Sequence, residues 1–129
     1  MARSLDVILV VDVESTCWEG TPPPGQSSEI IEIGLCPLDL RTRERTEKRS
    51  ILIKPVHSEI SEFCTSLTTL KPDMFADSGS LADAVKTLKN EFRSKDRLWA
   101  SWGDYDRRQF ERVQTAWTGD GRDTSSGWG

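Results

Sequence analysis

Asp12 and Glu14 stand one residue apart at the end of a mostly apolar run, residues 5–14. The β-branched residues within it predict a strand that is largely buried. Because side chains at i and i+2 of a strand point to the same face, the two carboxylates are expected side by side at its carboxyl end. Two anions this close repel unless a cation lies between them, and such oxygen ligands suit Mg²⁺ or Mn²⁺. The pair therefore indicates a divalent metal site. The alternative is that one carboxylate is exposed and the other caps the next turn.

Two further acids, Asp104 and Asp106, follow a short predicted strand at residues 97–101 and open a predicted helix. If that strand lies beside the first one, its carboxyl end brings one of these acids close to Asp12 and Glu14. Three converging carboxylates are hard to explain without a metal. The alternative is that Asp104 caps the helix and Asp106 complements its dipole.

The elements between these acids predict an α/β fold. Residues 29–36 and 45–54 are expected to form the second and third strands of an antiparallel meander, with Ile31, Ile33 and Leu35 on one face. A Pro- and Gly-rich loop precedes the second strand. Ser80 is predicted to cap an amphipathic helix before the fourth strand, which allows that strand to run parallel to the first. Candidate caps for short helical turns at residues 58–70 are Ser61, Thr65 and Thr68.

The composition limits the class of protein. A chain of 129 residues suffices for one compact domain, and its net charge of −4 argues against a long groove for duplex nucleic acid. No apolar stretch is long enough to span a membrane. Three widely spaced cysteines, Cys17, Cys36 and Cys64, predict neither disulfides nor a zinc site and fit the reducing cytoplasm. The basic residues at 41–49 alternate with acids, which predicts a solvated hairpin tip rather than a binding patch.

The composition changes near residue 114. Residues 114–129 are rich in glycine, serine and threonine and carry almost no aliphatic side chains. Such a segment is predicted to be a disordered tail, which leaves residues 1–113 as the folded domain.

Five segments in order, residues 10–19, 29–34, 54–55, 63–68 and 101–110, resemble the DEDD, or DnaQ-like, 3′-to-5′ exonucleases. The likeness is greatest to the Eri-type and KapD-like branch and extends over about residues 5–113. It implies an RNase H-like fold with a mixed sheet: an antiparallel three-strand meander, a helical crossover and a parallel fourth strand. It also implies a hydrolase that removes nucleotides from single-stranded nucleic acid ends, with RNA favoured over DNA.

The resemblance assigns roles to individual residues. Asp12 and Glu14 match the first family motif and Asp106 the second, and together they would bind two catalytic Mg²⁺ or Mn²⁺ ions. The terminal nucleotide would be contacted by residues 15–18 and by two residues further along the chain, namely Ser15, Thr16, Cys17, Trp18, Leu67 and Thr68. For Trp18, simple packing is an equally good interpretation.

The sequence departs from the family in its third motif, which supplies a histidine general base and a fourth carboxylate. The single histidine, His57, lies in the turn after the third strand, and no residues after Asp106 match that motif. The resemblance therefore predicts a fold without its C-terminal elements and an enzyme that is weak or inactive, because a general base typically contributes about 10²–10⁴-fold. The alternatives are a non-catalytic nucleic-acid-binding module, or a fragment whose sheet is completed by a partner chain or a second copy.

Overall fold

The computed structural model describes residues 4–46 and 48–101, without the side chain of Ser4. These residues form four strands, two α-helices and one short 3-10 helix. In chain order they are β1 (Ser4–Ser15), β2 (Ile30–Asp39), β3 (Arg49–Leu52), α1 (Glu62–Thr68), the 3-10 helix (Pro72–Phe75), α2 (Leu81–Phe92) and β4 (Arg97–Ala100). Asp104, Asp106, the domain end expected at residue 113 and the tail expected at 114–129 lie outside the described residues.

The four strands make one sheet in the order β3-β2-β1-β4. β1, β2 and β3 are antiparallel neighbours, whereas β4 runs parallel to β1 after the crossover through α2. This confirms the predicted meander, crossover and parallel fourth strand. The predicted bounds of the third strand were too wide, because Arg45 and Ile53 make only isolated bridges, to Leu38 and Gly79.

The main core lies between one face of the sheet and α2. Leu9, Val11 and Val13 alternate along β1 and are buried against Ala84 and Leu88 of the helix. The Ser80 hydroxyl accepts a hydrogen bond from the backbone N of Asp83 at 3.1 Å, so the predicted N-cap is confirmed. The side chains between the buried β1 residues, including Asp12 and Glu14, therefore point to the opposite face of the sheet.

β2 contains a β-bulge, so its side chains do not all point to the predicted faces of the sheet. Glu14 pairs with Glu32 and Ser15 pairs with Ile30, so Ile31 is an extra residue in the ladder. Ile30 and Ile33 consequently belong to the same core as Leu35, although an uninterrupted strand would point them to opposite faces. Ile31 instead packs with Cys64 of α1 in a second cluster. The prediction that Ile31, Ile33 and Leu35 share one face was wrong, because strict alternation does not continue through a bulge.

The second cluster holds α1 against the end of the sheet at which β1 finishes. Cys64 is the buried residue of α1, and it packs with Leu70 and Phe75 on Ile31. Ser61 is the N-cap of α1, and its hydroxyl accepts from the backbone N of Cys64 at 3.0 Å. Within the described residues, no helix is long and apolar enough to cross a membrane.

Candidate active site

Asp12 and Glu14 lie on the sheet face opposite to α2, in register with a row of β2 residues. Asp12 stands across from Gly34, and Glu14 stands across from Glu32. Gly34 is in turn the partner of Ser50 on β3. Three acidic side chains and one glycine thus occupy neighbouring positions on this face.

The two predicted metal ligands differ in exposure. The Asp12 side chain is exposed and that of Glu14 is half-buried. Glu32 accepts a hydrogen bond from the Ser50 hydroxyl at 2.8 Å. Asp12 and Glu14 present oxygen donors on one face, as Mg²⁺ or Mn²⁺ requires. In residues 4–46 and 48–101, however, no group of three or more His, Cys, Asp or Glu side chains could hold a metal ion. The third predicted ligand, Asp106, lies outside that part of the chain.

Thr16, one of the predicted nucleotide contacts, is wholly buried and tied into the fold. Its backbone N donates to Glu29 O, and its hydroxyl accepts from Glu29 N, both at 2.8 Å. The Thr16 and Ser58 hydroxyls are hydrogen-bonded to each other at 3.0 Å. With an exposed fraction of 0%, the Thr16 side chain is an internal support for the segment that follows β1.

The neighbours of Thr16 are placed differently. Ser15 is buried, and its hydroxyl has no hydrogen-bond partner within the described residues. The backbone O of Cys17 accepts from the Ser61 hydroxyl at 2.7 Å, which joins this segment to the cap of α1. Trp18 is half-buried. Of the four predicted contacts at residues 15–18, Cys17 and Trp18 therefore keep side-chain surface that a ligand could reach.

The Cys17 thiol lies in the acidic surroundings of Glu14. Burial, a hydrogen bond with Cys64, and the charges of Cys64 and Glu14 raise the pKa of Cys17 from its ordinary value of 9.0 to about 11. The Cys64 thiol itself donates to the backbone O of Ser15 at 3.6 Å. All three cysteines are free thiols. Cys17 is therefore a protonated, neutral group at physiological pH.

The two predicted contacts on α1 are also unlike each other. Leu67 is 64% exposed. The Thr68 hydroxyl donates to the backbone O of Cys64 at 2.8 Å and accepts from Leu70 N at 3.2 Å. Leu67 is thus available to a ligand, whereas Thr68 stabilises the end of α1.

Glu29 is a site residue that the sequence did not reveal. Its Oε1 accepts from His57 N and the Ser58 hydroxyl, both at 2.6 Å, and its Oε2 accepts from Val56 N at 3.0 Å. The Glu29 carboxylate thereby attaches residues 56–58, in the turn after β3, to the start of β2. The Glu29 backbone at that point is bonded to Thr16. His57 itself is exposed, as predicted. The sequence around Glu29 does not indicate these hydrogen bonds, because their donors lie almost 30 residues further along the chain.

Comparison with known proteins identifies the family. The family model RNase_T, described as an exonuclease, matches residues 9–103. The chain belongs to the RNase_T exonuclease family. Among curated relatives of this exonuclease domain, the human 3′-5′ exoribonuclease 1 is 29% identical over 92 residues, which are 70% of this chain and 26% of that protein. The Drosophila melanogaster 3′-5′ exonuclease Snipper is 30% identical over 95 residues, which are 69% of this chain and 34% of that protein.

Solved structures agree with this assignment. The nuclease domain of 3′hExo, a DEDDh family member bound to rAMP, superimposes on the RNase_T exonuclease chain with a TM-score of 0.74 and 26% identity. That match covers 91% of this chain and 62% of the other. These matches confirm the resemblance to the DEDD 3′-to-5′ exonucleases and the RNase H-like fold. The chain spans about a quarter to a third of the length of the curated relatives it matches.

Proposed function

We propose that the chain is a metal-dependent exonuclease domain that removes nucleotides from the 3′ ends of single-stranded RNA. The observation that supports this function best is the pair Asp12 and Glu14 on the sheet face opposite to α2, within a chain of the RNase_T exonuclease family. We assign the function to residues 1–113 and leave residues 114–129 outside it.

The same proposal gives each acid a role. Asp12 and Glu14, together with Asp106, would hold two Mg²⁺ or Mn²⁺ ions through carboxylate oxygens. Bound divalent ions lower the pKa of water and stabilise the leaving oxygen in phosphodiester hydrolysis. The exposed Asp12 carboxylate suits a metal ligand that substrate must also reach, whereas Glu14 is half-buried.

We propose that the terminal nucleotide lies between the segment after β1 and helix α1. Cys17, Trp18, Leu67 and Thr68 carry accessible surface for it, whereas Ser15 and Thr16 are buried in the segment after β1. A structure similar to this chain, with 26% identity, shows 3′-end specific recognition of a histone mRNA stem-loop by a 3′-exonuclease. That likeness favours RNA as the substrate here. The three free thiols favour a cytoplasmic location.

We also propose that these 129 residues turn over slowly by themselves. Their single histidine, His57, is exposed on the turn that Glu29 binds, and its backbone N already serves that contact. On this proposal, His57 is not the family's general base, and the fourth carboxylate is not among these 129 residues. Loss of a general base typically costs about 10²–10⁴-fold in rate.

Incubation of the purified chain with a 5′-labelled single-stranded RNA and Mn²⁺ tests the function. The expected result is slow, stepwise shortening from the 3′ end that EDTA abolishes and that Asp12→Asn reduces at least tenfold. Glu44→Gln, an acid-to-amide change at the exposed hairpin, is the matched control and should cleave at the original rate. Equal cleavage by Asp12→Asn would attribute the activity to a contaminant. Binding of the RNA without any shortening would identify a non-catalytic binding module.

A further inference from the structure

Three consecutive backbone carbonyls at the end of β1, those of residues 15–17, each accept a hydrogen bond from a side chain. In chain order of the acceptors, the donors are the Cys64 thiol at 3.6 Å, the Ser28 hydroxyl at 2.8 Å and the Ser61 hydroxyl at 2.7 Å. A bonded carbonyl cannot rotate without losing its partner, so these contacts hold the segment in one conformation. Two of the three donors belong to α1 or to its N-cap, and α1 therefore fixes the segment directly.

Ser61 uses its donor and its acceptor for two different elements. Its oxygen accepts from the backbone N of Cys64 at 3.0 Å, which caps α1, and its hydroxyl donates to Cys17 O at 2.7 Å. The Ser61 side chain is half-buried, so these bonds are partly shielded from water. The elements that it joins are the segment with Cys17 and Trp18 and the helix with Leu67.

Capping of α1 alone does not account for the second bond of Ser61. An N-cap needs only an oxygen that accepts from the first turn of the helix, and aspartate serves there as well as serine. A carboxylate has no proton to donate, so an aspartate at position 61 would cap α1 but leave Cys17 O without this donor. One substitution therefore separates the capping role of Ser61 from its bond to the segment after β1.

We infer that Ser61 is a positioning residue for the terminal nucleotide: by holding Cys17 O against the cap of α1, it sets the separation between the segment after β1 and helix α1. This inference rests on the proposed function, in which the nucleotide lies between these two elements. A site whose two sides are already in place loses less conformational freedom on binding, so the bond should increase the affinity for the RNA 3′ end. The hydrogen bonds of Ser61 lead to Cys17 and Cys64 and not to the proposed metal ligands, so cleavage of RNA that is already bound should be affected much less.

Fluorescence anisotropy and single-turnover cleavage, with the full chain, Mn²⁺ and a 5′-labelled single-stranded RNA, test the inference. A phosphorothioate at the last linkage slows cleavage during the binding measurement. Ser61→Asp should raise Kd by about 3- to 10-fold, as expected for one hydrogen bond, and should change the rate constant for cleavage of bound RNA by less than about twofold. Ser61→Thr keeps both donor and acceptor and should retain the affinity. Ser66→Asp adds the same charge at an exposed position of α1 and is the matched control, with a change in Kd of less than about twofold.

Hydrogen exchange followed by mass spectrometry tests the position of the segment without RNA. In Ser61→Asp, exchange should become faster at residues 15–18, whereas residues 62–68 should exchange at the original rate because α1 keeps its cap. This pattern also shows that the variant is folded.

Three outcomes would overturn the positioning role while the proposed function stands. Unchanged exchange and unchanged Kd in Ser61→Asp would make Ser61 an N-cap only. Faster exchange at residues 15–18 with unchanged Kd would show that the bond holds the segment but not the nucleotide. Equal increases of Kd in Ser61→Asp and Ser66→Asp would show general repulsion of RNA. If the original chain binds no RNA, the proposed function itself fails and the positioning role with it.

Discussion

Glu14 and Glu32 stand directly across from each other in the antiparallel pair of β1 and β2. Like charges in such a position are destabilising by roughly 0.2–1 kcal/mol relative to a neutral pair. Asp12 adds a third negative charge two residues along β1. In the proposed function a bound cation relieves this repulsion, so metal binding is gained at the expense of the stability of the metal-free protein.

Removal of the Glu32 charge should therefore stabilise the metal-free chain. In Glu32→Gln the side chain can still accept the hydrogen bond of the Ser50 hydroxyl, so the loss of repulsion dominates. We expect the free energy of unfolding in EDTA to rise by about 0.2–1 kcal/mol. Urea unfolding followed by circular dichroism measures it. A decrease in stability would mean that the Glu32 charge is satisfied in the metal-free protein.

Asp12→Asn should have a different effect, because Asp12 is a proposed ligand. Its side chain is exposed, so stability in EDTA should change by less than about 0.5 kcal/mol. The rise in Tm that Mn²⁺ gives to the original chain should disappear, since a ligand that binds only the folded state stabilises it. Thermal melts with and without Mn²⁺ separate the two variants: Glu32→Gln keeps the response and Asp12→Asn loses it. Glu44→Gln is the control for both. An undiminished Mn²⁺ response in Asp12→Asn would exclude Asp12 as a ligand.

The sequence predicted the elements that depend on local pattern. A continuous run of apolar, mostly β-branched residues revealed β1, and the serine at position 80 revealed the start of α2. The mixed sheet followed because a helical crossover permits a parallel neighbour for β1. These features depend on residues close together in the chain, where periodicity and capping are informative.

The features that the sequence did not predict depend on contacts between distant residues. The bulge at Ile31 accompanies the packing of this residue against Cys64 of α1. No sequence pattern within β2 predicts the bulge. Glu29 was missed because its donors, at residues 56–58, lie in the turn after β3.

Glu29→Ala should be markedly destabilising. The change removes a carboxylate that accepts three hydrogen bonds and leaves Val56 N and His57 N without that acceptor. Hydrogen bonds to charged groups contribute roughly 1.5–3 kcal/mol, and these are partly solvated, so we expect a loss of about 2–3 kcal/mol. Urea unfolding measures it against Glu19→Ala, an exposed acid in the same loop region, which should cost less than about 0.5 kcal/mol. Equal, small effects would show that the turn after β3 is held by other contacts.

Cys17 should be slow to react at neutral pH although its side chain is partly accessible. Its pKa is raised to about 11 by burial, by a hydrogen bond with Cys64, and by the charges of Cys64 and Glu14. At pH 8 the thiolate fraction should be roughly a hundredfold smaller than for a thiol of ordinary pKa. Iodoacetamide labelling followed by mass spectrometry of the Cys17 peptide should show a rate that increases up to about pH 11.

The raised pKa of Cys17 also determines whether its contribution to the stability of the folded protein increases or decreases with pH. Because the pKa of Cys17 is higher in the folded state than the ordinary value of 9.0, folding favours the protonated thiol. The contribution of Cys17 to stability is therefore fully present below pH 9 and is lost as the pH rises through about 11. Cys64→Ala removes the hydrogen bond and one of the charges, so the Cys17 labelling profile should move to lower pH. A profile that stays in place would leave burial and Glu14 as the sole causes of the raised pKa.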